Sequence, residues 1–70
     1  MLPEEIILAT VQSADSETLL VADDVSHMEI LVHSPAAANY AAGDHLKIGY
    51  NGAMTRSLPP QIYATMLQRI

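Results

Sequence analysis

Apolar and polar residues alternate along several short segments of the chain, which is the pattern of strands with one buried face. In 27–33, Met28, Ile30 and Val32 fall on one face, opposite His27 and Glu29. Turn-forming clusters of Ser, Asp and Ala separate the first of these segments from one another. The predicted strands are 5–12, 18–22, 27–33, 45–50 and 61–70.

The segment 45–50 alternates as clearly, and Leu46, Ile48 and Tyr50 are predicted to face inward. Asn51-Gly52 follows directly, and both residues tolerate the positive φ that a two-residue hairpin needs. The sequence therefore favours a hairpin here, with a short return strand over 53–56.

The last segment, 61–70, has two interpretations. Ile62, Met66 and Arg69 fall at helical spacing, whereas period two also places apolar residues on one face. We predict a strand, because four short strands alone would leave an edge unpaired and a thin core. The residues on its apolar face would be Ile62, Ala64, Met66 and Ile70.

The connection 34–44 breaks the alternation with a proline and a run of alanines. Ser34 is a good N-cap and Pro35 suits the first helical position, so one helical turn is predicted at 35–40. Five short strands with this small insert predict an all-β fold, a five-stranded OB-like Greek-key barrel, forming a single domain over 1–70.

Composition limits how this fold is stabilised and what it binds. A core in 70 residues gives only about 3–5 kcal/mol, and the lack of cysteine excludes disulfides, thiolate zinc sites and a cysteine nucleophile. The net charge is −5, and the basic residues are Lys47, Arg56 and Arg69 alone. Nucleic-acid backbones require clustered positive charge, so a single-stranded nucleic-acid binder is disfavoured.

The residues from Gly43 onward resemble the YobA-like family, small bacterial domains of unknown function found mostly in Firmicutes. The resemblance covers 43–70 and rests on Gly43-Asp44, an alternating strand, Tyr50-Asn51-Gly52, the segment 57–64 and a terminal Ile70. In the closing motif Leu58 stands where the family usually has tyrosine, and Pro60 where it has Ala or Gly. The resemblance implies an OB-like fold with a final strand, and it implies no activity.

No spacing of the three histidines matches a recognised metal motif. His27 and His33 lie about 20 Å apart along one strand, so they cannot share an ion. A metal site using His45 and Asp44, or His27 with the 23–24 aspartates, is retained as an alternative. No serine has a nucleophile-elbow context, and we therefore expect no enzyme, no cofactor and no dedicated metal site.

The remaining function is recognition of a protein, peptide or small molecule, and we predict a protein or peptide bound by loops that carry Tyr, Met and Pro. The predicted contact residues lie around the Asn51–Pro60 connection, and the alternative interpretation is that Tyr50 and Leu58 seal one end of the core. Self-association as a homodimer through a strand edge, Glu5–Gln12 or Gln61–Ile70, is a further prediction. The predicted binding residues are Tyr50, Met54, Leu58 and Tyr63.

No segment approaches the roughly 20 apolar residues of a membrane span. The sequence leaves localisation open: cytoplasmic as written, or extracytoplasmic if a lipoprotein leader has been removed.

Overall fold

The structure is a computed structural model that describes residues 4–70, so the first three residues of the predicted domain lie outside the described part. It contains five strands and one 3-10 turn. No helix within the described part is long and apolar enough to cross a membrane. The elements are β1 (Glu5–Ala14), β2 (Thr18–Asp23), β3 (Glu29–His33), the 3-10 turn (Ala37–Asn39), β4 (His45–Tyr50) and β5 (Gln61–Arg69).

The five strands close into a barrel in the order β1-β2-β3-β5-β4, with β4 pairing back to β1. All pairs are antiparallel except β3 and β5, which run in parallel over Leu31–His33 and Gln61–Tyr63. The predicted small all-β barrel is confirmed, and so is the terminal strand. The strands proposed as edges, β1 and β5, each pair with two strands, but over different parts of their length: β5 pairs with β3 over Gln61–Tyr63 and with β4 over Ala64–Arg69. The barrel is closed, and self-association through the remaining unpaired stretches stays a prediction.

Alternate residues of each strand point into the barrel and form a single apolar core. The three inward residues predicted for β4 are buried, Tyr50 among them at 8 % exposed. Ala37 of the 3-10 turn also joins the core. The strand residues in the core are Ala9, Val11, Leu19, Val21, Ile30, Val32, Leu46, Ile48, Tyr50 and Ile62.

Strand β3 begins later than the alternation predicts, at Glu29. The residues before it form a turn in which His27 takes a positive φ of 62°, and a residue in that conformation cannot continue a pleated strand. Met28 therefore does not join Ile30 in the core and is half exposed. The inward position predicted for Met28 is wrong for this reason.

A β-bulge divides β5 and changes which residues face the core. Tyr50 pairs with Ala64 but Gly49 pairs with Met66, so Thr65 has no partner on β4. The residue that faces the core before the bulge is Ala64, and the one after it is Leu67 instead of Met66. Both Ala64 and Leu67 pack against the core. The predicted inward positions of Met66 and Ile70 are wrong because the extra residue reverses the alternation, and Ile70 is exposed.

The predicted hairpin after β4 is also wrong. No return strand forms over 53–56, and residues 51–60 make one long connection, exposed up to Pro59, that leads into β5, the strand that pairs with β4. Gly52 does adopt a positive φ, and the Asn51 side chain accepts a hydrogen bond from the Ala53 N–H at 3.0 Å. The chain therefore turns at Asn51 and Gly52, but it does not pair with β4 again until β5.

The helical turn predicted at 35–40 is confirmed as the short 3-10 turn at 37–39. Ser34 does not cap it: its hydroxyl accepts from the Ala36 N–H at 3.1 Å, one residue ahead of the helix. After the turn, the Tyr40 hydroxyl donates to the Leu67 carbonyl at 3.4 Å. The connection 34–44 is thereby hydrogen-bonded to the C-terminal half of β5, which does not pair with β3.

Candidate functional site

Two loops meet at one end of the barrel because β3 and β5 are parallel. The loop 24–28 precedes β3 and the loop 51–60 precedes β5, so parallel pairing places both loops at the same end. Between them lies a groove of about 390 Å³, here called the loop groove. It is lined by Met28, Glu29, Leu58, Pro59 and Pro60.

Local hydrogen bonds shape the first wall of the loop groove. Asp23 Oδ1 accepts from the N–H groups of Val25 (2.8 Å) and Ser26 (3.0 Å), which fixes the turn that presents Met28. The bonds from the Ser26 and Val25 backbones stabilise the carboxylate and hold the pKa of Asp23 below its usual range. The turn is thus built around an ionised aspartate.

The second wall is held by side chains of the long loop. The Ser57 hydroxyl donates to the Pro59 carbonyl at 2.8 Å, and the Thr55 and Ser57 hydroxyl oxygens lie 2.7 Å apart. The Gln61 N–H in turn donates to Thr55 Oγ1 at 2.9 Å, which ties the loop to the first residue of β5. These bonds order the backbone on both sides of Leu58 while leaving its side chain free.

The apolar lining of the loop groove is open to solvent. Leu58 is 96 % exposed and Met28 is 46 % exposed. A leucine without covering contacts is unfavourable by about 25 cal/mol for each Å² of apolar surface left in water.

A second hollow, of about 300 Å³, lies at the far end of β3, beside Tyr63 and Ala64 of β5, and is here called the tyrosine hollow. Two of its lining side chains are stacked rings: the centroids of His33 and Tyr63 are 4.5 Å apart and their planes differ by 16°. Gln61 Oε1 accepts from His33 Nε2 at 2.8 Å and so fixes the imidazole plane. The hollow is lined by Glu17, His33, Ser34, Pro35, Tyr63 and Ala64.

The loop groove and the tyrosine hollow lie on one outer face of the barrel. Ile30 and Val32 point into the core, so Glu29, Leu31 and His33 point outward. The parallel register sets Leu31 beside Gln61 and His33 beside Tyr63. A continuous strip of β3 and β5, here called the β3–β5 face, therefore connects the groove to the hollow.

The four predicted contact residues are not one cluster. Tyr50 is buried, so it seals the core as the alternative interpretation held, whereas Leu58 is fully exposed and seals nothing. Leu58 lines the loop groove and Tyr63, 65 % exposed, lines the tyrosine hollow. Met54 is partly exposed and lines neither of them.

Sequence reasoning missed several lining residues of this face, among them Glu17, Met28, Glu29 and His33. Each lies more than twenty residues before the residues it meets on β5 or on the loop 51–60. Only the parallel pairing of β3 with β5 brings them together. Alternation identifies strands, but it gives no signal for which strands become neighbours.

The residues of the alternative metal site have other partners. Asp44 Oδ2 accepts from the Ala41 N–H at 2.9 Å and from Arg69 Nη2 at 3.0 Å, and these bonds lower the pKa of Asp44. His45 Nδ1 instead lies 3.1 Å from Thr10 Oγ1, which donates to Asp24 at 2.9 Å. Within residues 4–70 no three His, Asp or Glu side chains are grouped as metal ligands would be.

Charge is distributed unevenly along the chain and hence around the barrel. All eight acidic residues precede Lys47, the first basic residue. Strands β1 to β3 and their turns are therefore acidic, and they include Glu17 and Glu29 on the β3–β5 face. Arg69, on β5, is already paired with Asp44.

Comparison with known proteins adds no further constraint on this site. No family model, curated protein or solved structure matches the chain.

Proposed function

We propose that this chain is a non-catalytic OB-type barrel that binds a protein through an extended peptide segment, held at the Asn51–Pro60 side. The observation that carries the proposal is the loop groove, in which an ordered loop holds Leu58 almost wholly in solvent opposite Met28. The strand order, with parallel β3 and β5, supports the OB-type assignment. Membership of the YobA-like family is part of the same proposal.

The segment that fits the loop groove carries an apolar side chain. Three of the five lining residues, Leu58, Pro59 and Pro60, come from one loop, and Met28 supplies an adaptable apolar surface opposite them. Proline and leucine offer apolar contact without adding donors that a partner must satisfy. The one charged lining residue is Glu29, which favours a partner with a neutral or basic neighbour beside its apolar anchor.

A peptide ligand agrees with the charge of the chain better than a nucleic acid does. The net charge is −5, and a phosphate backbone lying along the β3–β5 face would meet the carboxylates of Glu17 and Glu29. Aromatic side chains for stacking bases are few, since the chain has three tyrosines and Tyr50 is buried. A basic or neutral segment meets no such repulsion.

The test is selection from a random twelve-residue peptide library displayed on phage, followed by titration of the selected synthetic peptides into the ¹⁵N-labelled protein. We expect peptides with a common apolar position that shift the amide signals of Met28, Glu29 and Leu58. Leu58→Ser should weaken binding at least about tenfold, since a buried leucine contributes roughly 1.5–3 kcal/mol and 1.4 kcal/mol is a factor of about ten. Val25→Ser is the matched control, because Val25 is exposed in the neighbouring turn and does not line the loop groove.

Two outcomes would overturn the proposal. One is a selection that yields no peptide binding to the wild-type chain. The other is a set of peptides that bind Leu58→Ser and the Val25→Ser control equally well. Sedimentation of both variants also distinguishes a second copy of the chain as the occupant: a wild-type dimer lost only in Leu58→Ser would identify the homodimer instead.

A further inference from the structure

We propose that the tyrosine hollow receives an arginine side chain of the same peptide, four residues from the apolar side chain in the loop groove. This inference rests on the proposed function and specifies its ligand. It joins three observations: the stacked pair of His33 and Tyr63, the carboxylate of Glu17, and the distance along β3 between the two depressions.

The chemistry of the tyrosine hollow suits a planar cation. Tyr63 keeps most of its surface in solvent although His33 covers part of the ring, so an aromatic face is available for a guanidinium. Glu17 lies on the rim and offers a carboxylate for a paired hydrogen bond. Arginine combines flat stacking with this bidentate contact, whereas a lysine ammonium offers only a point charge.

Backbone contacts fix Glu17 beside the rings. The Glu17 carbonyl accepts from the Ser34 N–H at 2.9 Å, which joins the β1–β2 turn to the end of β3. His33 is held by Gln61, as described above, and Tyr63 is held by strand pairing with His33. The two rings and the backbone of Glu17 are therefore placed by the fold before any ligand arrives.

The spacing follows from the strand. Glu29 lines the loop groove and His33 lines the tyrosine hollow, four residues apart on β3. Four residues of extended chain span about 13 Å, and a peptide lying along the β3–β5 face rises by the same amount per residue. The apolar and basic residues of the ligand should thus be separated by three others.

The carboxylate of Glu17 disfavours an acidic side chain of the ligand in the tyrosine hollow. Among residues 4–70, no lysine or arginine lines the tyrosine hollow or the loop groove, whereas each contains a glutamate. The basic side chain nearest in sequence to the groove lining is Arg56, which lies in the exposed loop and lines neither depression. A basic side chain of the partner would therefore gain an electrostatic attraction to Glu17 that no lysine or arginine lining the tyrosine hollow already provides.

The experiment uses the peptide acetyl-Leu-Ser-Thr-Ser-Arg-amide, titrated into the ¹⁵N-labelled full chain. Companion peptides replace arginine by citrulline, which keeps the shape and removes the charge, or change the spacer to one, two or five residues. We expect the arginine peptide to bind about fivefold more tightly than the citrulline peptide, from stacking and an exposed ion pair. The amide signals of Glu17, His33 and Tyr63 should shift only with arginine and only with the three-residue spacer.

Glu17→Gln and Tyr63→Leu are the test variants, and each should bring the ratio between the two peptides below about twofold. Glu5→Gln is the control, because it removes one negative charge from a residue that lines neither depression and should preserve the fivefold ratio. Equal binding of the arginine and citrulline peptides, or an unchanged ratio in both test variants, would overturn this inference.

The failure of this inference is distinct from the failure of the proposed function. Signals of Met28 and Leu58 that shift with both peptides, without any difference at Tyr63, would retain the loop groove and reject the arginine site. If no amide signals shift at the loop groove or at the tyrosine hollow, both the arginine site and the loop groove are rejected as binding sites for this peptide.

Discussion

His33 and Tyr63 stack their rings 4.5 Å apart from positions directly beside each other on β3 and β5. The two residues are thirty positions apart in the chain, and the parallel register alone makes them neighbours. The same register places the loop 51–60 next to the turn before β3. One strand pairing thus forms both depressions of the β3–β5 face.

The two tyrosines assigned to binding should behave differently when each is truncated. Tyr50→Ala removes a buried ring from the core, and such a loss costs about 3 kcal/mol or more, comparable with the whole stability of a domain this small. Tyr63→Ala removes an exposed ring, so the fold should persist. Circular dichroism and thermal melts should show Tyr50→Ala largely unfolded at 25 °C and Tyr63→Ala folded within a few degrees of the wild-type Tm.

A folded Tyr50→Ala with a Tm near that of the wild type would contradict the burial of this ring. Tyr50→Phe serves as the control, because it keeps the apolar volume of the side chain.

The bulge at Thr65 predicts which of two adjacent residues stabilises β5. Leu67→Ala should lower the free energy of unfolding by about 2 kcal/mol, since Leu67 packs against the core. Met66→Ala should lower it by less than about 1 kcal/mol, because Met66 points to the outer face. Urea unfolding of both variants measures the difference, and a larger effect for Met66 would mean that β5 alternates without a bulge.

The turn before β3 should lose stability in acid. Because the Ser26 and Val25 N–H groups hold the pKa of Asp23 low in the folded chain, the ionised carboxylate stabilises the fold above the unfolded carboxyl pKa of about 3.9. This contribution is lost as the pH falls through the lowered folded pKa. The Tm difference between wild type and Asp23→Ala should therefore be greatest at pH 5–8 and shrink below about pH 4.

Asp15→Ala controls for the loss of one negative charge from a turn. If the Tm difference for Asp23→Ala stayed constant from pH 7 to pH 2.5, the carboxylate would not be the group that holds this turn.

Two glycines should tolerate alanine to different extents. Gly43 has a φ of 95°, where a side chain is strained, so Gly43→Ala should cost about 1 kcal/mol. An added methyl at Gly49 would meet chiefly the end of the Glu4 side chain, which can move into solvent by giving up its exposed hydrogen bond from the Thr65 hydroxyl. Gly49→Ala should therefore stay within about 0.5 kcal/mol of wild type in urea unfolding, and the reverse order would contradict the backbone assigned to these residues.

Much of the barrel could be predicted from the sequence because burial imposes alternation. The bounds of β4 follow from Leu46, Ile48 and Tyr50, and the terminal strand follows from the need to pair an open sheet. Alternation predicts the wrong buried residues where one residue is inserted. The bulge at Thr65 moves the residues after it to the opposite face of β5, and nothing local in the sequence marks that bulge. Alternation also fails at Met28, where the positive φ of His27 ends the strand pattern.

The candidate site could be predicted only in part. The apolar residues of the loop 51–60 signal a contact surface in the sequence, and Leu58 is exposed as such a surface requires. Met28, Glu29 and Glu17 carry no local signal, because their role depends on a parallel pairing between distant segments. Hydrophobic periodicity contains no information on that pairing.

Both proposed binding sites depend on β3 and β5 lying side by side in the same direction, and nuclear Overhauser contacts test this most directly. The Leu31 N–H donates to the Pro60 carbonyl at 2.9 Å, and Leu31 is in register with Gln61. We predict contacts from the Leu31 amide proton to Gln61 Hα and from the His33 amide proton to Tyr63 Hα. Paired Hα–Hα contacts between the two segments, as antiparallel strands give, or no contacts between them, would contradict the account.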